Sequence, residues 1–191
     1  MVAMSAVALF HSVYGLRPAV RQAAERLRAA GHQVVVPDLY GVPPVDTLDE
    51  GFTLAEQVGW ETMLERARAA LRDLPPEAVL AGYSMGAAVA EAMLMERSAA
   101  AGLLLIAGAG GGQVSVPAGS RVQLHIADPD DFLSPTDLEA WIKRMTAADA
   151  VFEVFRYPGV GHLWTDSGLG DYDGLADDLV GQRCLEFLRL S

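Results

Sequence analysis

The chain has 191 residues, of which 51% are hydrophobic and 20% charged, with a mean hydropathy of +0.23. Such a composition excludes intrinsic disorder, because the apolar surface is ample to offset the entropy of ordering. The 14 Lys and Arg against 25 Asp and Glu give a net charge of −11. That charge repels phosphate backbones, and no basic cluster overrides it, so nucleic acid is not an expected partner.

The opening MVAMSAVALFHSVYG is apolar but has no Lys/Arg n-region, so it is not read as a secretory signal. No apolar stretch approaches the ~20 residues of a spanning helix, and no membrane partner is expected. The lone Cys184 allows neither an internal disulfide nor a Cys-based zinc site. The expected setting is the cytoplasm.

In chain order, Ala6–Phe10 reads as a buried strand, short and apolar, ended by a loop with Gly15 and Pro18. Leu16–Ala30 reads as a helix with Val20, Ala24 and Leu27 on one face, stopped by Gly31. Gln33–Val36, β-branched and ended by Pro37, is a second strand. Residues 38–53, rich in Pro, Gly and Asp, are expected to form a long surface loop. Leu54–Leu74 is expected to be one helix, with Val58, Met63, Ala67 and Leu71 at helical spacing before Pro75 and Pro76.

Ala78–Ala81 is a third strand, followed almost at once by a small-residue helix over Gly86–Arg97. Gly102–Ala107 is a fourth strand that runs into the glycines of 108–112, read as a flexible turn. Arg121–Ala127 is a fifth, followed by an acidic loop and a helix over Pro135–Ala147. Phe152–Tyr157 is the sixth, and Leu175–Leu190 closes the chain as a helix with Leu179, Cys184 and Leu188 inward. Strands alternating with helices imply right-handed crossovers, hence an α/β fold with about six mostly parallel strands between two helical layers. No repeat, low-complexity tract or charge block divides the chain, so residues 1–191 read as one domain. In such sheets functional residues gather at the carboxyl ends of the strands.

Gly82-Tyr83-Ser84-Met85-Gly86 is a G-x-S-x-G run set between a strand and a helix. That context holds the central serine in a strained turn with its hydroxyl exposed, and the flanking glycines avoid collisions between strand and helix. A serine nucleophile needs a base. His11 ends the first strand, His32 follows a helix stop, and His125 lies inside a strand, where a hydrogen-bonded structural role is expected. His162 lies in a glycine-rich loop after the last strand and is the expected base.

A carboxylate must then fix the imidazole tautomer, and the order Ser, Asp, His points to the Asp128-Pro129-Asp130-Asp131 loop. The oxyanion hole calls for two backbone N–H groups, expected from Met85, directly after the nucleophile, and from the loop holding Val13. The glycine run at 108–112 lacks a phosphate fingerprint, and His162 with Asp166 has no second histidine for zinc. Neither a metal nor an organic cofactor is expected. Tyr14, Tyr40, Trp60 and Trp164 are available to line an apolar pocket, with ordinary packing an equal reading.

Together, the Pro37-Asp38-Leu39-Tyr40-Gly41 segment, the Gly82–Gly86 elbow, the Asp130 loop and the Gly161-His162 loop resemble the dienelactone hydrolase family of α/β-hydrolases. The resemblance runs over nearly the whole chain. It implies an α/β-hydrolase core lacking the usual first two antiparallel strands, with Ser84 as nucleophile, Asp130 as acid and His162 as base. The founding enzymes of the family carry Cys where this chain has Ser84, and Glu in the first-strand loop where it has Ser12. The arginines that grip a dienelactone carboxylate have no counterpart.

Separately from the resemblance, Asp128 sits at the strand mouth, Pro129 turns the chain, and Asp131 is expected to point outward beside an inward-packing Phe132 and Leu133. Both lines of reasoning select Asp130. The expected function is hydrolysis of a small ester or lactone through an acyl-serine. Two other classes are a catalytically idle fold used as a small-molecule binding module, and a nucleotide binder, for which no phosphate fingerprint is present.

Overall fold

The computed structural model describes residues 4–110 and 116–190. Twelve elements follow in the order β1 (Ala6–Phe10), α1 (Pro18–Ala29), β2 (Gln33–Val35), α2 (Leu48–Val58), α3 (Trp60–Leu71), β3 (Val79–Tyr83), α4 (Met85–Glu96), β4 (Leu103–Ile106), β5 (Arg121–Asp128), α5 (Pro135–Ala147), β6 (Val151–Pro158) and α6 (Gly174–Arg189). The six strands form one sheet in the order β2-β1-β3-β4-β5-β6, and every pair is parallel. The central strands are buried on both faces, which is why they read as unbroken apolar runs rather than alternating ones.

Strand periodicity divides the core into two layers. Ala8, Phe10, Leu80, Leu103 and Leu105 face α3, α4 and α5. Val7, Leu9, Ala81, Leu104 and Ile106 face α1 and α6. The helices therefore sandwich the sheet, as expected of this fold class. Among the described residues no helix is long and apolar enough to cross a membrane.

Three local expectations are corrected. Residues 38–53 are not all loop, because α2 begins at Leu48. Thr47 accepts the Glu50 N–H while the Glu50 carboxylate accepts the Thr47 N–H, a reciprocal capping box. The single helix expected over Leu54–Leu74 is two, broken at Gly59, whose φ of 80° is open to glycine at little cost. Leu179 is 38% exposed, and the inward face of α6 is formed by Val180, Cys184, Phe187 and Leu188. Of the turn expected at 108–112, residues 111 and 112 lie outside the described residues.

These features place the site. β1, β3, β5 and β6 end on one side of the sheet, and α2 lies over that edge with Leu48, Phe52 and Ala55 turned toward Ser84 across a shared cleft.

Candidate active site

The tight turn from β3 into α4 leaves no room for side chains at the two glycines that frame it. A Cβ on Gly82 would collide with the Gly86 carbonyl, and one on Gly86 would collide with the carbonyls of Phe10 and His11. Ser84 itself is held at φ 51° and ψ −111°, a left-handed conformation that L residues avoid unless the surroundings impose it. Its N–H is tied to the Ile106 carbonyl at 2.8 Å and its carbonyl accepts Ala87 N–H at 2.9 Å. The backbone is thus clamped on both sides, and the hydroxyl is free to face the cleft.

Ser84 Oγ lies 3.0 Å from His162 Nε2. On the other side of the ring, His162 Nδ1 is 2.9 Å and 3.0 Å from the two oxygens of Asp130. A carboxylate only accepts, so Nδ1 carries the proton and Nε2 presents its lone pair to the Ser84 hydroxyl. The Asp130 side chain is 2% exposed, and the N–H of Phe132 donates to Oδ1 at 2.8 Å, which fixes the carboxylate for the ring. The Phe132 ring packs 4.5 Å from the imidazole and covers it, although the residue itself is exposed rather than inward as expected.

Neighbouring carboxylates do other work. Asp131 is exposed, and half-exposed Asp128 pairs with Arg156 at 3.5 Å. His125 is fully buried, with Nδ1 2.8 Å from the Tyr157 hydroxyl and Nε2 2.9 Å from Gln123 Oε1, the structural role expected of it. His11 is likewise spoken for. It donates from Nδ1 to the Ser12 carbonyl at 2.8 Å and accepts the Leu39 N–H at Nε2 at 2.9 Å. Burial lowers the pKa of His11 below the ordinary 6.5, so it stays neutral in this role.

The same contacts orient the loop after β1. The Ser12 carbonyl takes both the His11 proton and the Gly15 N–H, at 3.1 Å. In a trans peptide the N–H points opposite to the C=O, so the Val13 N–H is directed away from both. Met85 opens α4 directly after Ser84, and Val13, Ser84 and Met85 line one cleft.

That cleft has a volume of about 610 Å³ and mostly apolar walls, including Tyr14, Phe52, Trp60, Met63 and Leu169. A second lobe of about 410 Å³ lies on the α5 side of Ser84 and His162. Of the four aromatics proposed for a pocket, Tyr14 and Trp60 line it. Tyr40 and Trp164 are buried in the protein instead.

The family model of the dienelactone hydrolase family matches residues 2–190. The chain belongs to the dienelactone hydrolase family.

Solved structures agree in fold with that membership. A dienelactone hydrolase-like promiscuous phosphotriesterase from metagenomic libraries superposes with a TM-score of 0.82 at 16% identity, covering 98% of this chain and 87% of its own. A candidate dienelactone hydrolase from Klebsiella pneumoniae gives 0.79 at 16% identity, covering 98% and 88%. A candidate hydrolase of the α/β superfamily from Xanthomonas campestris gives 0.64 at 21% identity, covering 97% and 98%. No curated protein matches the sequence.

Two residues of this dienelactone hydrolase family member make bonds in the site that the sequence did not foretell. Tyr40, in the family-like segment 37–41, donates its hydroxyl to the Val13 carbonyl at 2.9 Å, and the same oxygen is 3.4 Å from Met85 Sδ. Burial raises the pKa of that phenol well above 10.0, so it remains a donor. Arg17, itself buried, donates to Asp166 Oδ2 at 2.8 Å, to Asp46 Oδ1 at 3.0 Å and to the Val45 carbonyl at 2.9 Å. It ties the approach to α1 to the histidine loop and to the segment leading into α2. For Tyr40 the sequence signal was its place in the family-like segment 37–41, which did not reveal this bond; for Arg17 it was only an arginine beside a loop.

Proposed function

We propose that this chain is a serine hydrolase that cleaves a small ester or lactone through an acyl-serine intermediate. The observation that carries the reading is the continuous Ser84–His162–Asp130 relay, each contact at about hydrogen-bond length and in the tautomer the chemistry requires.

His162 Nε2 takes the Ser84 proton as Oγ attacks the carbonyl carbon, and Asp130 stabilises the imidazolium that forms. The negative oxygen is held by the Met85 and Val13 N–H groups, the first of them at the N-terminus of α4, where the helix dipole adds to the stabilisation. The imidazolium then gives its proton to the leaving alcohol. Water, deprotonated by the same imidazole, releases the acid and restores Ser84. Serine fits this scheme without help from Ser12, which occupies the place of the family's thiol-activating Glu. The apolar cleft gives room for a small organic acyl or alcohol group.

Labelling with a fluorophosphonate followed by peptide mass analysis tests the reading. Modification at Ser84, together with loss of ester hydrolysis by about 10⁴-fold in Ser84→Ala, is the expected result. A protein that refuses the label and turns over no ester is instead a binding module on the same fold.

A further inference from the structure

We propose that the cleft discriminates by charge, accepting uncharged and cationic esters and rejecting anionic ones, with Asp171 as the residue that sets this bias. The inference rests on the serine-hydrolase reading and adds a substrate class to it.

The charged groups facing each lobe carry the argument. In the larger lobe they are Asp46 and Asp171, with no lysine or arginine. Asp46 is bonded to Arg17, and Arg17 is also bonded to Asp166, so one cation serves two carboxylates. Asp171 has no cationic partner within 4.0 Å among the described residues; its Oδ2 takes only a long bond of 3.4 Å from Leu163 N–H. The carboxylate also lies against Gly161, the residue next to the catalytic imidazole. Its field reaches the Tyr14 phenol, whose pKa is raised first by burial and then by Asp171.

In the smaller lobe the charged groups are Asp137 and Arg144. Arg144 is paired with buried Glu91 at 3.6 Å, and Asp137 accepts the Ser134 hydroxyl at 2.6 Å. Residues 111–115 contain no charged side chain. An anionic group entering either lobe would therefore lose its hydration without meeting an unpaired cation, which is the costly case. A cation would meet Asp171 and a lobe holding Tyr14, Phe52, Trp60 and Phe132, aromatic surface of the kind that favours cations. The net charge of −11 adds a long-range field of the same sign.

Three acetate esters of nearly equal shape test this: those of 3,3-dimethylbutanol, of choline, and of 4-hydroxy-2,2-dimethylbutanoate. Their kcat/KM values are measured at low and high salt in the parent, in Asp171→Asn, and in Asp149→Asn. The last removes one exposed negative charge away from both lobes. In the parent at low salt the neutral and cationic esters exceed the anionic one by about tenfold or more. In Asp171→Asn the cationic-to-anionic ratio falls by about threefold or more, through KM. Asp149→Asn leaves the ratio as in the parent.

An anionic ester handled as well as the neutral one overturns the proposal, as does an Asp171→Asn variant with the parental ratio. In those cases fluorophosphonate labelling of Ser84 shows that the hydrolase reading survives. No turnover of any ester and no label at Ser84 overturns both.

Discussion

Arg17 Nε and Asp166 Oδ2 are 2.8 Å apart, with both side chains almost wholly removed from solvent. The contact joins the start of α1 to the loop that carries His162 across 149 residues of sequence. Its energetic worth as a pair is modest, because both charges were dehydrated to make it. Its worth as a constraint is larger, since the same guanidinium holds the segment entering α2, the helix that roofs the cleft.

Asp166→Asn is therefore expected to destabilise the fold by about 2–4 kcal/mol, leaving a buried guanidinium with Asp46 as its remaining carboxylate partner. Urea unfolding measures the loss. A change below about 0.5 kcal/mol would place Arg17 effectively in solvent, contrary to its burial.

A second expectation concerns the acid of the relay. Asp130 is within bonding distance of His162, whereas Asp128 faces Arg156 and Asp131 faces solvent. Asp130→Asn keeps the shape but turns an acceptor into a partial donor, which favours the wrong imidazole tautomer. Loss of about 10⁴-fold in kcat is expected, against less than about tenfold for Asp128→Asn and Asp131→Asn. The three variants assayed on one ester, with circular dichroism to confirm folding, decide the point. A larger loss from either neighbour would move the acid.

The relay was legible in the sequence because each of its members lies just beyond the carboxyl end of a strand, and the strands themselves are plain. Runs such as Val79–Tyr83 and Leu103–Ile106 are apolar on both faces since helices cover both. The roof was harder. α2 begins inside a segment rich in Pro, Gly and Asp, and its capping box at Thr47 and Glu50 was the one local sign of a start. The break at Gly59 showed only as a five-residue step from Val58 to Met63 in an otherwise four-residue apolar spacing from Leu54 to Leu71. On α6, Leu179 and Val180 are one residue apart, about 100° around the helix, and packing alone chooses between them. Tyr40 and Arg17 reach carbonyls and carboxylates far along the chain, and such bonds leave no spacing to read.

Tyr40 leads to a third expectation. Its hydroxyl holds the Val13 carbonyl, and so the loop whose amide is proposed for the oxyanion. Tyr40→Phe removes the bond while keeping the ring. A loss of about tenfold in kcat is expected with KM little changed, because the contact steadies a group used in the transition state. Stability should fall by about 1 kcal/mol. Equal kcat in the variant and the parent would show that the loop is held without the phenol.

The last expectation is a pH dependence of stability set by His125. This ring lies in the middle of β5, stacked on Phe155 at 5.3 Å and bonded at both nitrogens. Burial, with a smaller contribution from Arg183, pushes its pKa from 6.5 down to about 3. In the unfolded chain the imidazole takes up a proton near its ordinary value; in the folded protein it stays neutral until far lower pH. Between those limits the unfolded state binds more protons, so folding stability is fully present above 6.5 and drains away as pH falls toward 3. His11 adds to the slope in the same direction, its pKa also being lowered by burial. Urea midpoints measured between about pH 8 and pH 4 should fall steadily on the acid side, with His125 contributing up to about 1.4 kcal/mol per pH unit. His125→Gln cannot titrate, so it should lose stability at neutral pH through poorer packing yet show a shallower acid slope, by close to one proton. A variant with the parental slope would mean that His125 gains its proton in the folded protein as readily as in the unfolded chain.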